Sequence, residues 1–308
     1  MNISSTCSIP RNAIWEGDGV VVAGRADQCG SDLYSLCLPY DIFIDNENNK
    51  LYIVDTPNNR IVLYSSLIND STTDGIIVAN QGLIYPTSIF VDIRMEDMYI
   101  LDYNKNETKN LRYPAYYRVQ LWHKNDTISK ILVNESGKYN YSSSSQIILD
   151  KQLNIYINTR FHIRKCFSST NYKNCINIAG INEQCGQTSN DLCGPRGFYL
   201  HENLTIFIVD TANKRILKWF ANSLTGEILV KTIAYTAGIT SDCHDRIYWG
   251  AYKAIFQYDP TNNQTKIIIG GNEDIYLLWM VSSLKFDKFG NLFVADFYRN
   301  RIKKFSIL

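Results

Sequence analysis

The chain has 308 residues, of which 31 are Lys or Arg and 30 are Asp or Glu, so its formal net charge is +1. A charge this close to zero provides no overall attraction to nucleic acid or to an anionic membrane surface. No apolar run approaches the ~20 residues that a membrane-spanning helix needs. We therefore expect neither nucleic-acid binding nor membrane insertion.

The first repeating unit of the chain begins at residue 40 and contains four short apolar segments. The first two, 40–45 and 50–54, are separated by an Asn-rich turn, since Asn tolerates left-handed backbone and caps turns. The third and fourth are 61–64 and 75–79. Four strands in a meander of about 45 residues match the period of a propeller blade.

The same strand pair recurs five more times along the chain. Its copies begin at residues 88, 146, 197, 238 and 283. The last copy has only three strands before the chain ends, whereas the unpaired segment 19–24 resembles a fourth strand. We predict an all-β, six-bladed β-propeller of four-stranded antiparallel blades, which closes when the N-terminal strand joins the last blade.

This pattern sets the expected domain organisation. Residues 1–12 form an N-terminal extension and residues 13–308 form a single propeller. The expected blades are at about 40–80, 87–135, 144–180, 194–235, 236–271 and 277–308, the last completed by 14–24.

Three turns between the second and third strands are near copies of one another. Two read Asp-Thr-x-Asn-x-Arg-Ile, at 55–61 and 210–216, and the third reads Asp-x-x-x-Asn-Arg-Ile, at 296–302. The pattern resembles the NHL repeat family of six-bladed propellers over about residues 13–308. That resemblance implies a fold and leaves function open, because one fold hosts many activities.

The repeated polar residues of these turns look catalytic by repetition, yet we interpret them as structural. An Asp that ends a strand can accept hydrogen bonds from turn amides, and the Arg can pair with a neighbouring blade. The motif residues are Asp55, Asn59, Arg60, Asp210, Asn213, Arg215, Asp296, Asn300 and Arg301.

Eight cysteines indicate an oxidising compartment. Cys29 and Cys37 share their spacing and their Gln-Cys-Gly and Leu-Cys contexts with Cys185 and Cys193, so we expect each pair to close a loop. If disulfides act by lowering the entropy of the unfolded chain, each bridge stabilises the folded state by roughly 2–3 kcal/mol. Cys166 and Cys175 flank a hairpin and form a third expected bridge, which leaves Cys7 and Cys243 to pair by exclusion. The alternative is eight reduced thiols.

Asn-x-Ser/Thr sequences support the same compartment, although an Asn-rich chain produces some by chance. The glycosylation candidates are Asn69, Asn106, Asn125, Asn134, Asn140, Asn203 and Asn263. The first residues lack the charged and apolar regions of a signal peptide. We therefore hypothesise that the chain is an extracellular or lumenal part of a larger polypeptide.

Ligands of propellers usually bind where the turns entering the first strands meet at the channel mouth. The candidate rim residues are Asp41, Ser88, Gln146, Arg196 and Ser283. Asp41 and Arg196 are the only charges at this level and belong to facing blades, so they could hold a small polar or zwitterionic ligand. The alternative, which we favour, is a solvated rim.

A second candidate is the insertion at 104–115, which interleaves cations with aromatic side chains, as partner-binding surfaces do. Its candidate contact residues, with the first residue after it, are Lys109, Arg112, Tyr113 and Tyr116. No CxxC pair or suitably spaced His group is present, so we expect no metal site and no cofactor.

The preferred function is a non-enzymatic extracellular module that binds a protein or glycan through rim loops. One alternative, taken from intracellular NHL propellers, is the substrate- or RNA-binding part of a ubiquitin-ligase-type protein, which predicts reduced cysteines and a basic face. Another is a metal-dependent lyase or hydrolase of the six-bladed type, which predicts metal ligands in the channel. A single rim carboxylate is fewer than the oxygen ligands that calcium requires.

Overall fold

The computed structural model describes residues 8–65, 75–103, 116–136, 145–181, 183–232, 235–271 and 277–308. Within these ranges the chain forms 24 β-strands and two 3₁₀ helices, Ser168–Thr170 and Phe297–Arg299. The strands form six four-stranded antiparallel sheets. The predicted all-β six-bladed propeller is confirmed.

In chain order, β1 (Val20–Gly24) comes first and the blades follow. Blade one contains β2 (Pro39–Asp45), β3 (Lys50–Asp55), β4 (Arg60–Tyr64) and β5 (Ile76–Ala79). Blade two contains β6 (Ser88–Asp92), β7 (Asp97–Tyr103), β8 (Tyr116–Trp122) and β9 (Lys130–Ser136). Blade three contains β10 (Ile147–Leu149), β11 (Ile155–Asn158), β12 (Ile163–Cys166) and β13 (Cys175–Ala179).

The remaining three blades follow the same order. Blade four contains β14 (Pro195–Leu200), β15 (Ile206–Asp210), β16 (Arg215–Trp219) and β17 (Glu227–Lys231). Blade five contains β18 (Ile239–Ser241), β19 (Ile247–Ala251), β20 (Ala254–Asp259) and β21 (Gln264–Gly270). Blade six contains β22 (Val281–Phe286), β23 (Leu292–Asp296) and β24 (Arg301–Phe305).

The two ends of the chain close the ring. β1 pairs antiparallel with β24, from Val20 opposite Lys304 to Gly24 opposite Arg301, and so becomes the fourth strand of blade six. The described part of the predicted N-terminal extension also packs against the ring, because Ile9 is buried beside Tyr248 of blade five and Leu284 of blade six. Residues 1–7 lie outside the described ranges.

The hydrophobic core lies between adjacent blades. Between blades six and one, Phe293 and Ala295 pack against Ile42 and Ile53. Each such fully buried aliphatic or aromatic side chain contributes about 1.5–3 kcal/mol relative to its exposed state. Burial on both faces explains why second strands such as Lys50–Asp55 and Ile206–Asp210 are nearly continuous apolar runs.

The first strand of each blade lies at the centre of the ring. β2 contacts β6 on one side and β22 on the other, and β18 contacts β14 and β22 in the same way. The face of the ring that carries the turns from second to third strands also carries the connections between blades. We call it the motif face.

Three disulfides are present among the described residues, and all three are the predicted pairs: Cys29–Cys37, Cys166–Cys175 and Cys185–Cys193. Cys243 is also disulfide-bonded, and Cys7, its expected partner, lies outside the described ranges. No helix that the structure describes has the length and apolarity to cross a membrane.

Candidate interaction face and central channel

The repeated Asp-Arg motif clamps the loop that precedes each blade. The Asp55 carboxylate accepts hydrogen bonds from the Cys37 amide at 2.7 Å and from Arg60 Nε at 2.7 Å. The remaining Arg60 nitrogens donate to the carbonyl oxygens of Ser31, Asp32 and Ser35, inside the Cys29–Cys37 loop. The motif and the disulfide therefore fix the same loop.

The clamp is repeated three blades further on. The Asp210 carboxylate accepts from the Cys193 amide at 2.7 Å and from Arg215 Nε at 2.8 Å. The other Arg215 nitrogens donate to carbonyl oxygens of the Cys185–Cys193 loop. Asp55 and Asp210 are fully buried, so they are inaccessible to a substrate, and the geometry gives them a structural role.

The motif asparagines hold the chain in two ways. Asn213 donates to Asp210 within its own turn, at 2.8 Å. Asn59 and Asn300 instead accept from backbone amides of the following blade's entry, those of Tyr85 at 2.6 Å and Leu38 at 2.9 Å. Both have positive φ, of 52° and 55°, which Asn adopts more readily than most residues.

Asp41 bridges three blades at the inner rim. Its carboxylate accepts from the hydroxyls of Ser88 at 2.5 Å and Ser283 at 2.7 Å, in blades two and six. It also accepts from the backbone amides of Ile42 and Ile89. The residue is 4% exposed, so these four donors occupy its oxygens and it acts as a joint between blades.

Neighbouring rim residues continue this ring of bonds. Ser88 accepts from the amide of Ile147 at 3.0 Å, and the side-chain oxygen of Gln146 accepts from the amide of Phe198 at 3.1 Å. At the equivalent position in blade four, a Cβ on Gly197 would lie 2.2 Å from the Ala237 carbonyl oxygen. Side-chain bonds of Asp41, Ser88, Gln146 and Ser283 therefore join blades at four of the six junctions of the ring. At the other two junctions the backbone approaches closely at a glycine.

Arg196 differs from the other predicted rim residues. It lies in the irregular step of β14 between Pro195 and Gly197 and is partly exposed. Among the described residues, its guanidinium has no hydrogen-bond or ion-pair partner. The structure thus separates the two predicted rim charges into a buried, fully bonded Asp41 and a solvated Arg196.

A second ring, one level deeper, lines the central channel. It consists of one residue from each first strand, two positions after Asp41 or after the residue equivalent to Asp41 in the other blades. We call it the channel belt: Phe43, Phe90, Ile148, Tyr199, Thr240 and Lys285. All except Thr240 keep part of their solvent-accessible surface, although they lie on the innermost strands. The intervening residues, such as Ile42, Phe198 and Leu284, are fully buried. The belt therefore borders the channel.

Three groups of contacting aromatic side chains lie along the motif face, across blades five, six, one and two. We call this set the aromatic arc: Tyr252, Trp279, Phe297, Tyr298, Tyr40, Tyr85 and Tyr103. Ring centroids are 6.4 Å apart for Tyr252 and Trp279, and 4.9 Å apart for Phe297 and Tyr298. Tyr252, Trp279 and Tyr298 are 43%, 37% and 53% exposed, respectively.

The motif residues also position the aromatic arc. The Trp279 amide donates to Asp296 at 2.9 Å, and the Tyr85 amide donates to Asn59 at 2.6 Å. The Arg299 guanidinium lies 5.6 Å from the Trp279 ring centroid, within the range of a cation–π contact. The arc is therefore held on rigid turns.

The other candidate sites fall into two groups. Asn125, Asn134, Asn203 and Asn263 are exposed, as a glycan requires, whereas Asn69, Asn106 and Asn140 lie outside the described residues. Lys109, Arg112 and Tyr113 also lie outside them, as does the side chain of Tyr116. The predicted partner loop remains a prediction.

One group with metal-ligand spacing occurs in the part of the chain that the structure describes. It consists of Glu135, Cys166 and Cys175. Since the two cysteines form a disulfide, this group offers no thiolate ligand.

Two features were not predicted from the sequence: the position of Lys285 in the channel and the aromatic arc on the motif face. Lys285 follows Ser283 by two residues on one strand, so strand periodicity alone places both on the same face. The aromatic arc comes from turns and connections of four blades, and only the ring geometry brings them together. The single available signal was the excess of tyrosine.

The chain matches no model of a known protein family, and a search of curated protein sequences finds no match. Its fold does resemble solved structures. A protein of unknown function from Bacteroides thetaiotaomicron superimposes with a TM-score of 0.70 at 14% identity, covering 96% of this chain and 76% of the other.

Two further structures with this fold have unlike functions. One, from a nidogen/laminin complex, has a TM-score of 0.57 at 14% identity and covers 75% of this chain and 80% of its own. The other, virginiamycin B lyase from Staphylococcus aureus, has a TM-score of 0.59 at 12% identity and covers 92% of this chain and 98% of its own. At these identities the similarity establishes a β-propeller fold alone.

Proposed function

We propose that this chain is an extracellular, NHL-type propeller module that binds a protein partner through its motif face. The aromatic arc is the observation that carries the proposal. Exposed Trp and Tyr side chains are enriched at protein interfaces, because they bury a large area at a small cost in conformational entropy. Here three of them are exposed on the motif face, and the motif residue Asp296 fixes the backbone of Trp279.

Three further observations support the proposal. The described disulfides suit an oxidising compartment, as is usual for extracellular proteins. Asp55 and Asp210 of the repeated motif are buried and bonded within the fold, which leaves them no part in a reaction. A solved propeller of the same fold occurs in a nidogen/laminin complex, which provides a precedent for protein binding.

The chain offers a matched pair of variants to test this proposal. Tyr298 on the motif face and Phe289 on the opposite face belong to the same blade and are each 53% exposed. The wild type, Tyr298→Ala, Trp279→Ala and Phe289→Ala would each be tested by biolayer interferometry against an array of purified extracellular domains. Thermal unfolding of all four proteins controls for folding.

The expected result is a partner whose binding the two arc variants weaken and Phe289→Ala leaves unchanged. Loss of an interface anchor costs about 2 kcal/mol, which corresponds to roughly a thirtyfold rise in Kd. A partner that binds both arc variants as tightly as the wild type would contradict the assignment of the face. Binding lost only in Phe289→Ala would place the interface on the opposite side of the ring.

A further inference from the structure

The channel belt is divided into two chemically distinct halves. Phe43, Phe90 and Ile148 come from consecutive blades one, two and three and are apolar. Tyr199, Thr240 and Lys285 come from consecutive blades four, five and six and carry polar groups. The rings of Phe43 and Phe90 are in edge-to-face contact, with centroids 5.5 Å apart. Apolar side chains of the belt therefore line the channel in blades one to three, and Lys285 lies at the same level in blade six.

Lys285 is the only cation of the belt. It lies on the innermost strand of blade six, opposite Phe293 of β23, and keeps part of its accessible surface. Among the described residues, no hydrogen bond or ion pair joins its ammonium to another side chain. The nearest acid by electrostatic interaction is Asp41, whose oxygens are already occupied by four donors.

The buried position of Lys285 favours the neutral form of this amine. Burial lowers the pKa of Lys285 below its usual value, and Asp41 opposes the shift as a smaller influence. A desolvated lysine without a counter-ion is the usual setting of amines that attack carbonyl carbons.

From this geometry we infer that the channel is a binding site for a short aliphatic aldehyde, which forms an imine with Lys285. The amine nitrogen attacks the carbonyl carbon to give a carbinolamine, and loss of water replaces the C=O bond with C=N. No electrons are transferred, so the step needs no oxidant or reductant. The aliphatic tail lies against the wall formed by Phe43, Phe90 and Ile148.

This inference is independent of the proposed protein-binding face. It places a small-molecule site inside the ring, whereas the aromatic arc lies on the outside of the motif face. Loss of one site would leave the other intact. An aldehyde-binding result therefore neither supports nor weakens the interface.

The test is reductive trapping with butanal as the probe. The folded protein is incubated with limiting butanal and sodium cyanoborohydride, and the alkylation rate at each lysine is measured by peptide mass spectrometry. We expect Lys285 to react severalfold faster than the exposed Lys288 of the same blade, because a lowered pKa leaves a larger neutral fraction of the amine. Glycolaldehyde, which lacks an aliphatic tail, should show a smaller preference for Lys285.

Two variants complete the experiment. Lys285→Arg keeps the positive charge and removes the nucleophile, so the fast site should disappear while the other lysines react as before. Lys288→Arg should leave the rate at Lys285 unchanged. The inference is overturned if Lys285 in the wild type reacts no faster than Lys288, or if butanal and glycolaldehyde show the same preference. The wild-type comparison stands even where a variant fails to fold.

Discussion

Replacing Asp41 with Ala tests whether the inner rim is a joint between blades. The substitution removes one acceptor that serves four donors, the hydroxyls of Ser88 and Ser283 and the amides of Ile42 and Ile89. The residue is 4% exposed, so water cannot easily replace the carboxylate. A ligand-binding Asp would behave differently, because its removal would leave the fold intact.

The expected cost follows from the number and type of these bonds. Each hydrogen bond to a charged acceptor is worth about 1.5–3 kcal/mol, and a buried donor left unsatisfied costs about 1–3 kcal/mol. Both hydroxyls can turn towards other acceptors, which leaves the two amides as the main loss. We expect Asp41→Ala to lower the free energy of unfolding by about 3–5 kcal/mol.

The measurement is urea denaturation followed by tryptophan fluorescence. Asp126→Ala provides the matched control, because Asp126 is an exposed turn residue and its loss should change stability by less than about 0.5 kcal/mol. Ser88→Ala should fall between the two, since it removes one donor and one acceptor. If Asp41→Ala lowers the free energy of unfolding by less than about 1 kcal/mol, Asp41 does not hold the blades together and becomes a candidate ligand-binding residue again.

Two further predictions concern buried cations. Arg60→Ala leaves the fully buried Asp55 charge without its partner and frees the Cys29–Cys37 loop, so we expect the free energy of unfolding to fall by about 3–5 kcal/mol in the same assay. The control, Arg94→Ala, breaks an ion pair of a 74% exposed side chain and should lower it by less than about 1 kcal/mol. Equal losses in the two variants would contradict the structural role of Arg60. Lys285 has a lowered pKa in the folded state, so between that pKa and 10.5 the unfolded chain binds more protons and stability rises with pH. Lys285→Met should therefore have a higher free energy of unfolding than the wild type at pH 7, and this difference should shrink towards pH ~10. Urea denaturation at both pH values measures it. A difference that stays constant would show that Lys285 is not desolvated.

Local patterns were sufficient to predict the blades because each blade is a meander of neighbouring segments. The apolar run in 51–54 and the Asn-rich turn before it define a hairpin without reference to any distant residue. The match between residues 19–24 and the fourth strands of other blades predicted ring closure, and β1 does pair with β24. The duplicated cysteine loops predicted two disulfides from their shared spacing, and the hairpin of blade three predicted a third.

The candidate site was less accessible to the same reasoning. The sequence places Asp41 and Arg196 in facing blades as the only charges of the rim. In the structure Asp41 accepts from four donors, and Arg196 has no hydrogen-bond or ion-pair partner among the described residues. No local pattern distinguishes these two environments, since the donors to Asp41 come from positions 47 and 242 residues away. The aromatic arc similarly draws Tyr252, Trp279, Tyr40 and Tyr85 from four blades.

The strands, the number of blades, the closure of the ring and three disulfides were predictable from the sequence, because each depends on contacts between neighbours or on a repeated spacing. Which polar residues join blades, and which face solvent or the channel, became visible in the folded structure. The physical reason is that the environment of Asp41 or Lys285 depends on which side chains of adjacent blades meet at the centre of the ring. Those contacts join residues that are far apart in the chain, so no local pattern records them.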